Sequence, residues 1–149
     1  PDCMDPKIHH CNLIQSILAK IEANNAGADD ALMLDRDGFV AETNATHVFI
    51  VTRGVVETSH CKACPEGITR ATVLDICDRS GIPHRERDIS LPEIYRADEM
   101  FCTGTMGELA PVLEVDGRTI GDGAPGWVVS HLSGSFRKLV EAEAEPLAG

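Results

Sequence analysis

The sequence has no cluster of basic residues, because its 13 Lys and Arg are outnumbered by 24 Asp and Glu, for a formal net charge of −11. Such a surface repels phosphate groups, so we expect no nucleic acid and no membrane surface as a partner. No apolar run approaches the roughly 20 residues that cross a bilayer, and no signal-peptide pattern opens the chain. Internal repeats and low-complexity linkers are also lacking, which indicates one globular domain. The chain begins with Pro1, and we expect a fragment or a processed chain.

The six cysteines lack the density and the loop-rich surroundings of a secreted disulfide scaffold. Cys77 and Cys102 lie in apolar patterns and are expected in the core. Only Cys61 and Cys64, preceded by His60, have a spacing that carries chemistry. No second pair follows at zinc-ribbon spacing, so we predict no metal site and a reduced pair in an exposed loop. A redox pair or a partial metal site stays open as an alternative.

The hydrophobic periodicity predicts a mixture of helices and hairpins. Apolar residues at helical spacing, ended by Gly or Asn, indicate the helices. Short β-branched runs on both sides of Asp-Gly and Arg-Gly turns indicate the strands. Helices are predicted at 11–25, 71–80, 91–96 and 127–141, and strands at 31–34, 39–42, 48–52, 55–58, 84–89, 98–102, 112–115 and 118–120. The apolar positions of these elements predict a core formed by Leu13, Ile17, Leu18, Leu32, Leu34, Phe49, Val51, Val73, Leu74 and Phe101.

Two short segments have the composition of ligand-binding turns. Gly67-Ile68-Thr69-Arg70 precedes an apolar helical run, so its free backbone N–H groups could bind a phosphate and Thr69 could add a hydroxyl donor. The alternative for this segment is a simple helix cap. The second segment, 103–107, follows a buried strand, and its small residues allow the backbone to approach a ligand.

Several segments match one family in the family's own order. They are residues 7–23, 34–43, 48–51, 67–70, 97–105, 108–112 and 115–123. Together they resemble the C-terminal lobe of class IV aminotransferases, the fold-type-IV pyridoxal-phosphate family of branched-chain and D-amino acid aminotransferases. The resemblance spans nearly the whole chain.

The resemblance implies an α+β fold with a mixed, partly barrel-like sheet and packed helices, the C-terminal domain of the D-amino acid aminotransferase-like fold. Residues 1–149 would form a single cofactor-binding lobe, with the N-terminal lobe absent. The implied cofactor is pyridoxal 5'-phosphate, and the implied partners are a small-molecule amino acid and a 2-oxo acid in a cytoplasmic homodimer. Family members take a phosphate-binding arginine from the N-terminal lobe, so we expect the isolated chain to bind little cofactor.

By this resemblance, Lys7 is the catalytic lysine that forms the Schiff base with the cofactor and moves the substrate's proton. Glu42 is the acid that keeps the cofactor's ring nitrogen protonated. The residues implied to bind cofactor are Glu42, Gly67, Ile68, Thr69, Arg70, Gly104 and Thr105. The residues implied to bind the substrate carboxylate are Met106 and Gly107.

The lysine is the largest departure from the family pattern. In the family it precedes an Asn-containing helix start by three or four residues, whereas Lys7 precedes Asn12 by five. The Asp-x-Lys match at residues 5–7 and the lack of another lysine before Lys20 favour Lys7 with a longer loop.

Other polar residues near these motifs have open roles. Arg70 either points toward Glu42 behind the cofactor or forms a plain salt bridge. His9 and His10 either line the site or belong to a polar loop. His47 stands where the family usually carries Asn, so the resemblance assigns it no role. An enzyme of the aminodeoxychorismate lyase type, a catalytically silent lobe and a Cys-x-x-Cys redox module remain alternative functions.

Overall fold

A computed structural model describes residue 8 and residues 11–144 of the chain. Its helices are α1 (Ile14–Asn25), α2 (Ile68–Ser80), α3 (Leu91–Ile94) and α4 (Trp127–Glu143). Its strands are β1 (Leu32–Leu34), β2 (Val40–Thr43), β3 (His47–Thr52), β4 (Val55–Thr58), β5 (His84–Glu86), β6 (Glu99–Gly104), β7 (Glu108–Pro111), β8 (Glu114–Val115) and β9 (Arg118–Thr119). Every predicted helix and strand is present with shifted ends, and β7 was not predicted.

The main sheet has five strands in the order β5-β4-β3-β6-β7. Strands β4 and β5 pair in parallel, whereas the other neighbours pair antiparallel. The pairs β1-β2 and β8-β9 form separate two-stranded hairpins. The α+β class with a mixed sheet is therefore confirmed. No helix in the described part of the chain has the length and apolar character that crossing a membrane requires.

The central strand β3 is buried on both of its faces. Phe49 and Val51 face one core with α2 and α4, and Val48 and Ile50 face a second core with α3. This alternation follows from the period of two in a strand. Phe49 stacks on Phe101 of β6, with ring centroids 4.9 Å apart and ring planes 7° from parallel. The sheet is thus a rigid support for the loops at its ends.

The predicted core is correct for the sheet and wrong for α1. Phe49, Val51, Val73 and Phe101 are at most 1% exposed, and Leu32 and Leu74 are half-buried. In contrast, the predicted core residues of α1 and the end of β1 are exposed by 42–58%. They are Leu13, Ile17, Leu18 and Leu34. Periodicity identified the apolar side of α1 correctly, but that side faces solvent here and borders an open apolar groove of about 300 Å³.

One buried and one half-buried carboxylate tie distant segments together. Glu57 of β4 is 1% exposed and accepts hydrogen bonds from Arg85 and Arg87, and the hydrogen bonds from Arg87 hold the pKa of Glu57 below its usual range. Glu99 of β6 accepts hydrogen bonds from the backbone N–H groups of Val128 and Val129, at 3.1 and 2.8 Å. The carboxylate of Glu99 therefore caps the N-terminus of α4.

Candidate functional site

Three segments that are far apart in sequence converge on one cleft of about 280 Å³. They are the β2-β3 connection, the N-terminus of α2 and the end of β6 with the turn that follows it. The lining residues are Glu42, Ala45, His47, Pro65, Glu66, Gly67, Ile68, Thr69, Thr103, Gly104 and Thr105. The structure thus brings together six of the residues singled out from the sequence, namely Glu42, Gly67, Ile68, Thr69, Gly104 and Thr105.

Helix α2 presents its N-terminus to the cleft. Gly67 is its N-cap, with extended backbone and no side-chain cap, so first-turn N–H groups such as those of Ile68 and Thr69 have no intrahelical acceptor. The helix dipole adds partial positive charge at this end. The side chain of Thr69 is 9% exposed, whereas that of Ile68 is 86% exposed. Backbone groups and one hydroxyl of this turn can therefore bind an anion.

Glu42 supplies a carboxyl group to the same cleft from β2. Its side chain is 22% exposed, and burial raises its pKa from 4.5 to about 7. A positively charged or N–H-donating ligand beside it would favour the carboxylate and lower this pKa again. Glu42 is thus suited to a cationic or protonated group and not to an anion.

His47 starts β3 beside Glu42, with its Nδ1 atom 3.9 Å from Glu42 Oε2. The ring also packs on Gly67 so closely that a side chain at position 67 would collide with it. Burial, aided by the charge of Arg70, lowers the pKa of His47, so the imidazole is neutral at pH 7. Sequence analysis assigned no role to His47, and its position five residues after Glu42 was the available signal.

Cys64 lies behind Glu42 and His47. One ligand atom from each of these three side chains lies within 4.8 Å of the others. Cys64 is 1% exposed, and burial, aided by the neighbouring, half-buried Cys61, raises the pKa of its thiol. The predicted exposed loop pair is therefore wrong for Cys64, because the loop before α2 turns inward and places the thiol behind the cleft.

Thr103 carries a buried hydroxyl without a partner. The residue is 1% exposed and lines the cleft at the end of β6. Its Oγ1 atom has no hydrogen-bond partner among the residues that the structure describes. Leaving such a group unpaired costs about 1–3 kcal/mol of folding free energy. A polar ligand atom in the cleft that hydrogen-bonds to Thr103 would remove this cost. The sequence placed Thr103 in the correct turn but assigned it no contact.

Arg70 does not point toward Glu42. Its guanidinium donates to the Ser59 carbonyl oxygen at 2.8 Å and to Glu86 Oε2 at 2.5 Å, and it does not line the cleft. The assignment of Arg70 to cofactor binding stays a prediction, and the observed contact is a salt bridge, buried on the arginine side only, that ties α2 to β5. Arg70 makes these contacts because it lies one residue beyond the helix entry, where its side chain turns toward the sheet.

The remaining candidate residues lie at the edge of the cleft or outside the residues that the structure describes. Met106 and Gly107 form the exposed turn after Thr105, with the Met106 side chain 99% exposed, and neither lines the cleft itself. Lys7, His9 and His10 lie outside the described residues.

Comparison with known proteins gives consistent matches over the chain. Residues 1–115 match the model of the family described as amino-transferase class IV. The chain is 51% identical over 147 residues to branched-chain-amino-acid aminotransferase-like protein 2 of Arabidopsis thaliana, covering 99% of this chain and 26% of that protein. It is 41% identical over 148 residues to the branched-chain-amino-acid aminotransferase of Pseudomonas aeruginosa, covering 92% of this chain and 48% of the relative.

A solved structure of a branched-chain amino acid aminotransferase also matches this chain. The branched-chain amino acid aminotransferase from Thermobaculum terrenum, solved in its PLP form, superimposes with a TM-score of 0.91 at 34% identity. The match covers 96% of this chain and 48% of that one. The chain therefore spans at most about half the length of these three proteins.

Proposed function

Because the chain belongs to the class IV aminotransferase family, we propose that the whole protein moves an amino group between an amino acid and a 2-oxo acid, with pyridoxal 5'-phosphate in the cleft. The observation that carries this proposal is the meeting of a carboxyl group, Glu42, with an uncapped helix N-terminus, that of α2, in one cleft. An acid for a ring nitrogen and an anion site for a phosphate are two of the features that this cofactor requires of a protein, beside the lysine.

The phosphate fits the end of the cleft formed by α2 and the β6-β7 turn. The Ile68 and Thr69 amides supply helix-terminal donors, and Thr105 supplies a hydroxyl from the facing turn. The unpaired hydroxyl of Thr103 is a further donor in the same cleft. Because a phosphate oxygen accepts hydrogen bonds strongly, it would satisfy the hydroxyl that the described residues leave without a partner.

The ring nitrogen fits beside Glu42. Burial makes the carboxyl group easier to protonate by raising its pKa, and a protonated ring nitrogen would restore the carboxylate by charge pairing. When bound, the cofactor acts as an electron sink at the substrate's α-carbon and carries the amino group between substrates. Glu42 keeps the ring nitrogen protonated by holding a negative charge against it.

Lys7 is the residue we assign to proton transfer at the substrate's α-carbon. The side chain must be neutral to accept that proton, and burial next to the cofactor would lower the lysine pKa because desolvation disfavours the ammonium. The exposed turn that contains Met106 and Gly107 follows directly on Thr105, so its backbone amides are placed to receive a substrate carboxylate.

We infer a branched-chain amino acid as donor, supported by the names of the three similar proteins. A D-amino acid is the alternative that the sequence motifs leave open. We assign residues 1–149 to a C-terminal lobe whose partner lobe completes the pocket, supported by the exposed apolar side of α1. A cytoplasmic homodimer is proposed on the family resemblance.

The test is to map the cofactor on the complete gene product. Borohydride treatment in the presence of pyridoxal phosphate, followed by peptide mass mapping, should place the adduct on Lys7. The Lys7→Ala variant should lose transfer from leucine to a 2-oxo acid, whereas Lys20→Ala, the matched control, should retain it. An adduct on Lys20, or no adduct in an active protein, would contradict the assignment.

The ring acid is tested separately. Glu42→Gln should lower kcat by about 10²-fold or more, because the charge opposite the ring nitrogen is lost in a site that excludes water. Binding of the phosphate group should survive, since α2 and Thr105 are unchanged. An unchanged kcat would contradict the placement of the ring beside Glu42.

A further inference from the structure

The cluster of Glu42, His47 and Cys64 contains chemistry that amino transfer does not use. Each side chain contributes one atom to a group whose members lie within 4.8 Å of one another. The three come from β2, from the start of β3 and from the loop before α2, so the fold and not a local turn assembles them. The cofactor explains Glu42 alone and leaves the imidazole and the buried thiol unexplained.

The fourth side chain is Cys61, which lies three residues before Cys64 and close enough to raise the pKa of its thiol. The two cysteines have the Cys-x-x-Cys spacing that lets both thiolates bind one ion. Thiolate, imidazole and carboxylate together are the donor set that Zn²⁺ prefers. Ligand atoms on a tetrahedral zinc ion lie roughly 3.5 Å apart, given bond lengths of about 2.0–2.3 Å. The ligand atoms of Glu42, His47 and Cys64 therefore need to move by only about 1 Å, whereas Cys61 lies outside this 4.8 Å group and must turn toward it.

We propose that Glu42, His47, Cys64 and Cys61 form a Zn²⁺ site at the back of the cleft. On binding, each cysteine thiol releases its proton to solvent and donates a sulfur lone pair to the ion. His47 donates a ring-nitrogen lone pair, and Glu42 donates a carboxylate oxygen. No electron is transferred, so the step needs no oxidant or reductant.

The surroundings hold these ligands in place. The His47 ring lies against Gly67, where a Cβ atom would collide with it. The nearby cation, Arg70, forms a salt bridge with Glu86. Burial raises the pKa of Glu42 and that of Cys64, and a bound cation would offset the penalty on both negative charges.

The site shares Glu42 with the proposed cofactor, and this consequence rests on the proposed function. A zinc ion bound to Glu42 occupies the carboxylate that the ring nitrogen requires. Zinc and pyridoxal phosphate should therefore exclude each other. In that case the metal is an inhibitor of cofactor binding and has no part in the reaction.

The test uses Co²⁺ as a spectroscopic substitute for zinc on the complete, fully reduced gene product without cofactor. We expect one cobalt per chain, with a thiolate-to-cobalt charge-transfer band and the visible bands of a tetrahedral site, all displaced by Zn²⁺. Cys64→Ser and His47→Asn should each weaken binding by at least about tenfold. The matched controls Cys11→Ser and His131→Asn change an exposed cysteine and an exposed histidine and should bind as the parent does.

The absence of the thiolate band, or equal affinity in the cluster variants and the controls, would overturn the zinc site. A competition arm separates this outcome from the proposed function. If the protein binds pyridoxal phosphate but shows no thiolate band, the zinc site fails and the cofactor assignment stands. If cobalt binds as expected and the cofactor binds to the cobalt-loaded protein with unchanged affinity, the zinc site stands and the placement of the ring against Glu42 fails.

Discussion

The Nδ1 atom of His47 lies 3.9 Å from the Oε2 atom of Glu42, and burial acts on the two groups in opposite directions. It raises the pKa of Glu42 to about 7 and lowers that of His47. Near pH 7, an acid and a base that would form an ion pair on the surface therefore both carry less charge here. The floor of the cleft is polar, and its charge is reduced until a ligand binds.

Glu42 should destabilise the cofactor-free protein at neutral and alkaline pH. Its folded pKa lies above the unfolded value of 4.5, so the folded state binds more protons and stability falls as pH rises from about 4.5 to about 7. A shift of this size corresponds to about 3 kcal/mol. Glu42→Gln should therefore unfold at higher urea concentration than the parent at pH 8 and at nearly the same concentration at pH 4.

The control for this experiment is Glu114→Gln, which changes an exposed glutamate of β8. Its stability should follow that of the parent at both pH values. A Glu42→Gln variant that is less stable than the parent at pH 8 would contradict this prediction. It would show that other groups of the protein already stabilise the negative charge of Glu42.

Two threonines of the cleft should respond differently to valine. Thr103→Val removes a buried hydroxyl without a partner in the described residues and should raise the stability of the cofactor-free protein by about 1 kcal/mol. Thr105→Val changes an exposed residue and should leave stability unchanged. Both variants of the complete protein should bind pyridoxal phosphate more weakly, by about tenfold for a lost hydrogen bond to a charged group.

Denaturant titration measures the effect of each valine on stability, and absorbance titration with the cofactor measures its effect on affinity. Unchanged cofactor affinity in both variants would contradict the proposed phosphate site.

The Glu57 network should govern acid stability. Replacing Glu57 by Gln removes the charge that Arg85 and Arg87 share, although Arg87 keeps its salt bridge to Glu93, and should cost about 2 kcal/mol for the lost hydrogen bonds to a charged group. The folded pKa of Glu57 lies below its usual range, so its contribution is present at neutral pH and is lost as pH falls below about 4.5 through the folded pKa. Urea unfolding of parent and variant should therefore differ at pH 7 and converge in acid. A constant difference across this range would assign the loss to packing and not to charge.

The apolar side of α1 should make the isolated chain self-associate. Five of its side chains are at least half exposed, namely Leu13, Ile14, Ile17, Leu18 and Ile21, and exposed apolar surface of this extent favours association. Sedimentation velocity should show oligomers of the 149-residue chain that Ile17→Lys dissolves. Gln15→Lys adds the same charge at a polar position of the same helix and should not. A monomeric parent chain would contradict this expectation.

The sequence was sufficient for those features that depend on one continuous segment. The helix entry at Gly67 and the strand ending in Glu42 follow from local patterns, and the family motif placed both at one cofactor. The direction of Arg70 and the burial of Cys64 depend instead on how the loop before α2 packs against β2, which no local pattern encodes.

The same reasoning explains the other differences. Hydrophobic periodicity identified the apolar side of α1, but periodicity states which side is apolar and not what covers it. Strand β7 was missed because Pro111 ends it, and proline is tolerated there since β7 is an edge strand of the main sheet. The unpaired hydroxyl of Thr103 could not be predicted, because it follows from the positions of all neighbouring donors and acceptors at once.

The capping of α4 by Glu99 has a consequence for the order in which the protein folds. The carboxylate lies about 30 residues before the amides of Val128 and Val129 that it binds, and Gly126 leaves the space that it occupies. Helix α4 has no side-chain cap at its own N-cap residue, so its first turn is completed only when β6 has reached its place in the sheet. Hydrogen exchange of these two amides should therefore become slow only once the sheet has assembled, although both amides belong to a helix.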